Sequence, residues 1–346
     1  MNQYRQQFRR LLETFGLDYL LVYGNTYDDR FIKAIAGTPA LQQNYIILSP
    51  NAEFFTASRY YLLEITRRTD IPILPTDGEN FGLIEVLKKI GTSKRIGIIG
   101  QFKHADVAAL QPAKVVDLTE QAHEFILHKS DQYISSIRKH ARITADILSG
   151  IRFRPGDTGL SRAQQITRAA LERGYTHSFS TCITSGKDLF TTTTVTAGRR
   201  RINASDMVCV DMGLRQGIYT TDITRMFFVN HPKARKLFDQ IAAVHHEIIA
   251  TFVSPEKTFR QVIEHYQQRF KGHAEVTAVP EDDFGHGIGF ALHEEPIIEK
   301  TTRTIGRSTV FTLEPTFFTR FGRMRIEDMV AIDSRGRVSN LTGGKR

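Results

Sequence analysis

Basic and apolar residues alternate at helical spacing over MNQYRQQFRRLLETFG, which predicts an amphipathic opening helix. Short apolar runs at Tyr19–Tyr23, Tyr45–Leu48 and Ile96–Ile99 predict strands with helices between them. Alternation of helix and strand over residues 1–125 is the pattern of a small α/β domain, and nothing in it looks catalytic.

The pattern changes at Ser130 and then repeats. A helix from Asp131 to Ile151, capped by Ser130, carries Ile134, Ile137, Ala141 and Ile147 on one face, and a second helix runs from Ser161 to Gly174. A strand pair follows, Met207–Leu214 with Ile218–Val229. The second half opens with Pro232 at a helix start and places Leu237, Ile241, Val244 and Ile248 at helical spacing. It adds a helix from Thr258 to Gly272 and closes on another strand pair, Thr309–Phe318 with Met324–Ile332. Residues 126–346 therefore read as two helix–helix–hairpin halves of ~100 residues, a normal size for half of a large domain. Packed about a pseudo-twofold axis, the hairpins face one another.

Composition narrows the class. Hydrophobic residues are 41% and charged residues 24% of 346, as expected of folded domains. Cys182 and Cys209 lack the spacing of a disulfide framework or zinc knuckle and read as buried small apolar residues. The net charge of +9, densest at Arg199, Arg200 and Arg201, accompanies no recognisable nucleic-acid module, so it is assigned to the surface and no nucleic-acid partner is expected. Neither an export-signal core nor a membrane-length run is present, which points to the cytoplasm and away from membranes.

The carboxylates carry the chemistry. Folding VCVDMGLRQGIYTTDITRMFF about Gln216–Gly217 sets Asp211 opposite Asp222, and folding FTLEPTFFTRFGRMRIED about residues 320 and 321 sets Glu314 opposite Glu327. Directly opposed carboxylates repel, and such pairs persist where a cation lies between them. Four of them suit two cations about 3.5–4 Å apart. A borderline metal also takes nitrogen, and FGHGIGFALHEEP between the hairpins offers His286, with glycines that allow close approach, and then His293.

These residues resemble the pita-bread metallopeptidases, the family of methionine aminopeptidase, aminopeptidase P and prolidase. The motifs are Asp211-x-Gly213, Asp222-Ile223-Thr224-Arg225, His286-Gly287-x-Gly289, His293-Glu294-x-Pro296, Glu314-Pro315 and Arg325-x-Glu327-Asp328. The resemblance implies a creatinase-type α/β N-terminal domain followed by a pita-bread α+β catalytic domain. It implies two divalent metals, manganese, cobalt, iron(II) or zinc, with Asp211 on one, Asp222 and Glu327 bridging, and His286 and Glu314 on the other. Glu314 would move the proton of a metal-bridging nucleophile, and His293 would hydrogen-bond the substrate carbonyl. Arg325 resembles the RxED arginine of the prolidase and aminopeptidase P branch, which implies a short Xaa-Pro peptide as substrate and a homodimer as the working form; the bland alternative for Arg325 is a surface ion pair with Asp328 or a neighbour.

One departure stands out. After Ser185-Gly186 no histidine occurs between His177 and His231, and Thr193 or Thr194 takes the place of the loop histidine of proline-specific members. Asp206 follows Ser205 where the family favours glycine. Two further readings stay open: a non-peptidase amidohydrolase or creatinase-like enzyme on the same fold, and a non-catalytic peptide-binding protein.

Overall fold

The computed structural model describes residues 3–76 and 95–343, and the chain divides into two compact units, Met1–Ile126 and Leu127–Arg346. In the first, β1 (Tyr19–Gly24), β2 (Asn44–Leu48), β3 (Glu53–Ser58), β4 (Ile73–Thr76), β5 (Arg95–Ile99) and β6 (Lys114–Asp117) form one mixed sheet in the order β4-β3-β2-β1-β5-β6. Leu21, Tyr23, Tyr45, Ile47, Ile96 and Ile98 share one buried cluster, as alternation along adjacent strands requires. Helix α1 (Gln3–Phe15) buries Phe8, which meets Phe31 of α2 (Arg30–Ala36) and Phe125 edge-on. Three shorter helices complete the described part of this unit: α3 (Leu62–Thr66), α4 (His104–Ala109) and α5 (Thr119–Leu127).

The second unit has the repeated order. Its first half holds α6 (Asp131–Ser149), α7 (Gly159–Leu171), β7 (Thr176–His177), β8 (Cys182–Ser185), β9 (Met207–Met212), β10 (Leu214–Gln216), β11 (Tyr219–Thr220) and β12 (Ile223–Phe228). Its second half holds α8 (Pro232–Thr251), α9 (Phe259–Phe270), β13 (Val276–Ala278), β14 (His286–Gly287), β15 (Glu294–Ile297), β16 (Thr309–Leu313), β17 (Thr316–Thr319), β18 (Gly322–Arg325), β19 (Asp328–Ile332) and β20 (Val338–Asn340). Hydroxyl caps start the helices: Ser130 accepts from Tyr133 N, Thr158 from Ser161 N and Thr258 from Gln261 N, each cap being worth ~1 kcal/mol. The unit has two apolar cores, one around Ile147, Ile166, Val208 and Met212 of the first half, the other around Leu237, Ile241, Phe259 and Phe311 of the second, to which Leu189, Met207, Cys209 and Met226 of the first half also contribute.

Each hairpin arm expected as one strand is broken in two. β9 stops before Gly213 and β16 before Glu314, while Thr221–Asp222 separate β11 from β12 and Ile326–Glu327 separate β18 from β19. A Cβ at Gly213 would overlap Ser178 Oγ and Thr221 O, so only glycine lets the arms approach at that break. The halves meet at Thr224 and Glu327, where Glu327 N donates to Thr224 O at 3.2 Å.

Candidate metal centre

The breaks lie where the acidic residues are. In the second hairpin Thr316 pairs with Arg325 and Leu313 with Asp328, a register whose continuation sets Glu314 level with Glu327, as hairpin folding predicts. The first hairpin corrects the expectation. Gln216 pairs with Tyr219 and Asp211 with Thr224, so Asp211 does not stand opposite Asp222. The turn lies over Gly217–Ile218, which shifts every pair by two positions. A slip of two keeps each side chain on its face, so the Asp211 and Asp222 carboxyls still lie close enough to influence one another.

All five residues are buried. Donor atoms of Asp222, His286 and Glu327 lie within 4.8 Å of one another. His286 Nε2 stands 3.5 Å from Glu314 Oε1 and 3.9 Å from Asp222 Oδ2. Its Nδ1 is 3.0 Å from Gly287 O, and the tautomer that donates there leaves the Nε2 lone pair facing the carboxylates. Glu327 Oε2 accepts from Thr224 Oγ1 at 2.9 Å, whereas Glu327 Oε1 is buried with no hydrogen-bond partner among the described residues. A buried, unpartnered carboxylate oxygen beside an imidazole lone pair and further carboxylates fits a divalent cation and little else.

The electrostatics agree. Burial pushes the Asp211 carboxyl up to about 6 and Glu314 up to about 8. Burial, then mutual repulsion with the other carboxylates, holds Asp222 and Glu327 well above the ordinary range. Burial, then His293, draws His286 down to about 4. Without a cation the site therefore retains protons, which a cation displaces.

Arg325 is not on the surface. Burial opposes its charge, but Glu314, Asp283 and Asp211 outweigh that and hold it protonated. Its Nη1 lies 3.1 Å from Glu314 Oε2, its Nη2 pairs with Asp283, and its Nε donates to Thr316 Oγ1 at 3.1 Å. The bland reading, an exposed pair with Asp328, is thereby overturned. Asp328 is buried elsewhere, beside Arg225, His245 and His246, and accepts from Asn340 Nδ2 and Thr342 Oγ1 at 2.7 Å. Burial alone would raise its carboxyl, yet Arg225 and the histidines hold it well below the usual range.

His293 is exposed, its ring edge-on to His286 with centroids 4.3 Å apart. Beside it, Glu294 is buried and takes Lys129 Nζ at 2.7 Å and Ala291 N at 2.8 Å, an anchor for the His293 loop that sequence reasoning missed. Asp283 was missed as well, because an acidic residue in the run EDDF carries no signal until Arg325 is placed. Thr193 is buried and Thr194 exposed, and Thr193 O accepts from Thr184 Oγ1 at 2.8 Å. Asp206 anchors its turn, accepting from Arg200 Nη1 at 2.8 Å and Asn203 N at 2.9 Å, which takes Arg200 out of the supposed free basic run. Cys209 is buried as expected, but Cys182 is only half-buried, at the position paired with Asp211.

A buried carboxylate and imidazole cage between two hairpins of a pita-bread fold defines a metal-dependent hydrolase. Residues 135–334 match the Peptidase_M24 model, metallopeptidase family M24, and the chain belongs to that family. It is 23% identical over 354 residues to the uncharacterized peptidase YqhT of Bacillus subtilis (strain 168), covering 96% of this chain and 95% of the relative. It is 22% identical over 358 residues to the Xaa-Pro dipeptidase of Pyrococcus horikoshii, covering 97% and 96%. Among solved structures, the prolidase from Pyrococcus horikoshii OT3 superposes with a TM-score of 0.84 at 19% identity over 100% of this chain and 99% of that one. The X-Pro aminopeptidase from Thermotoga maritima MSB8 gives 0.83 at 19% over 99% and 98%. Among the described residues no helix is long and apolar enough to cross a membrane.

Proposed function

We propose that this peptidase is a dinuclear enzyme cleaving short Xaa-Pro peptides, with Asp211, Asp222, His286, Glu314 and Glu327 as metal ligands. The observation that carries the metal assignment is the orphaned Glu327 Oε1 among converging donors. The names of the relatives that match nearly end to end support the substrate. When bound, the cations supply Lewis acidity and ease the deprotonation of water. Glu314 would take a proton from the nucleophile and return it to the leaving amine, a role supported by its burial beside His286 and Arg325. His293, exposed beside His286, would donate to the scissile carbonyl as negative charge develops there, a role its ring contact with His286 supports. Arg325, held by Glu314 and Asp283, presents a fixed cation beside the site.

Metal analysis of purified protein with a panel of Xaa-Pro dipeptides, Xaa-Pro-Yaa tripeptides and Met-initiated peptides tests the reading. About two transition-metal ions per chain and release of proline are expected, with both ions and activity lost in Asp222→Asn. A fully metallated protein inactive on every proline peptide would falsify the substrate assignment. The threonines in the 193–194 loop motivate a second reading, a non-peptidase amidohydrolase, which turnover of a small amide with silence on peptides would select. We further propose manganese as the first metal to try, a homodimer, measurable by light scattering, and a cytoplasmic location.

A further inference from the structure

The two apolar cores adjoin at a seam. Between α6 and α8 lies a cleft of about 520 Å³, within the ~300–1,000 Å³ typical of ligand pockets. Ile223, Arg225 and Ile326 contribute to it. Ile223 and Ile326 adjoin Asp222 and Glu327 in sequence, yet none of Asp211, Asp222, His286, Glu314 and Glu327 lines the cleft, which is therefore distinct from the metal centre.

Its lining is amphipathic. Phe153, Phe227 and Phe228 remain only half-buried, the first two edge-on with centroids 5.1 Å apart. Phe153 and Phe227 pack against the core of the first half and Phe228 against that of the second, so apolar surface of both halves stays uncovered at the junction. The charge at its mouth has one sign in excess. Arg225 is committed to Asp328, and Arg235 lies 3.7 Å from Asp239 and over the Phe228 ring. Arg152 is exposed, donates its Nη1 to Ser149 O and Ile151 O, and has no carboxylate partner among the described residues. A neutral apolar guest would leave that guanidinium unused, and a cationic one would face Arg152 and Arg235.

We infer that this cleft binds a small amphipathic carboxylate, its apolar body against Phe153, Phe227 and Phe228 and its anionic head between Arg152 and Arg235. This site is independent of the substrate assigned to the metal centre. Calorimetric titration of the metal-loaded full chain with octanoate, with octylammonium as the charge-reversed probe, tests it. One octanoate per chain is expected and no octylammonium, with binding weakened by about tenfold or more in R152E/R235E, both exposed positions, through loss of charge-assisted contacts. Ser149→Trp, which fills the cleft from the rim of α6, is expected to abolish it. Absence of octanoate binding, equal binding of octylammonium, or octanoate heat unchanged in R152E/R235E and S149W overturns the inference. So does binding that disappears on chelation, which would belong to the metals, or that falls with chain concentration, which would place a second copy in the cleft.

Discussion

Glu314→Gln in the metal-free protein separates a proton-holding site from an ion-paired one. The Glu314 carboxyl moves from 4.5 to about 8 on folding, because burial outweighs the Arg325 guanidinium beside it. Folded above unfolded, the group contributes stability that is complete below about 4.5 and is lost as pH rises toward about 8. Between 4.5 and 7.5 the loss reaches roughly 4 kcal/mol at ~1.4 kcal/mol per pH unit, an upper bound because Asp211 and the other acids share the protons. Glutamine keeps the shape and an acceptor for Arg325 and has no proton to lose. E314Q should therefore stabilise chelated protein by about 2–4 kcal/mol at pH 7.5 and by little at pH 5. Urea unfolding at both pH values reads this as a shift in midpoint at constant slope. With manganese added the order should invert if Glu314 is a ligand, as proposed, since the variant would lack it. A variant less stable than its parent at pH 7.5 without metal would show that Glu314 is ionised in the empty site, and the account of the site as a proton store would fail.

Thr224→Val removes the hydroxyl that orients Glu327 from across the junction and should weaken metal binding by about 10–100-fold, measured by competition with a chelating dye. Lys129→Met leaves Glu294 buried without its cation and should cost about 3–5 kcal/mol in urea unfolding, while the double change with Glu294→Leu should recover most of it; no recovery would rule out the ion pair as the cause. His293→Ala should lower kcat by about 10²–10³-fold with metal content unchanged, and loss of metal in that variant would recast His293 as a ligand.

How much of this was legible in the sequence differs residue by residue. Ser130, Pro232 and Thr258 marked helix starts because capping chemistry is local. The second hairpin was read in register because Arg320–Phe321 occupies its turn, and the first slipped by two because Gly217 serves the first loop position rather than the second. Period-two slippage conserves faces, so the acidic cluster survived the error. Strand β3, Glu53–Ser58, was hidden because a phenylalanine pair interrupts its alternation. Asp283, Lys129 and the Arg225–Asp328 contact were not legible, since each partner lies 42 to 165 residues away and only the fold unites them.

The division of the second unit into two cores bears on how it comes apart. Asp211 and Asp222 are carried by the first half of the unit, His286, Glu314 and Glu327 by the second. A cation held by both sets, as proposed, would act as a rivet whose binding energy opposes separation of the halves. Amide exchange should register this as a change of pattern, with the metal-free halves opening as separate units at different free energies and the loaded unit opening as one. Chelation should then loosen a joint, and the seam between α6 and α8 is where exchange should rise first.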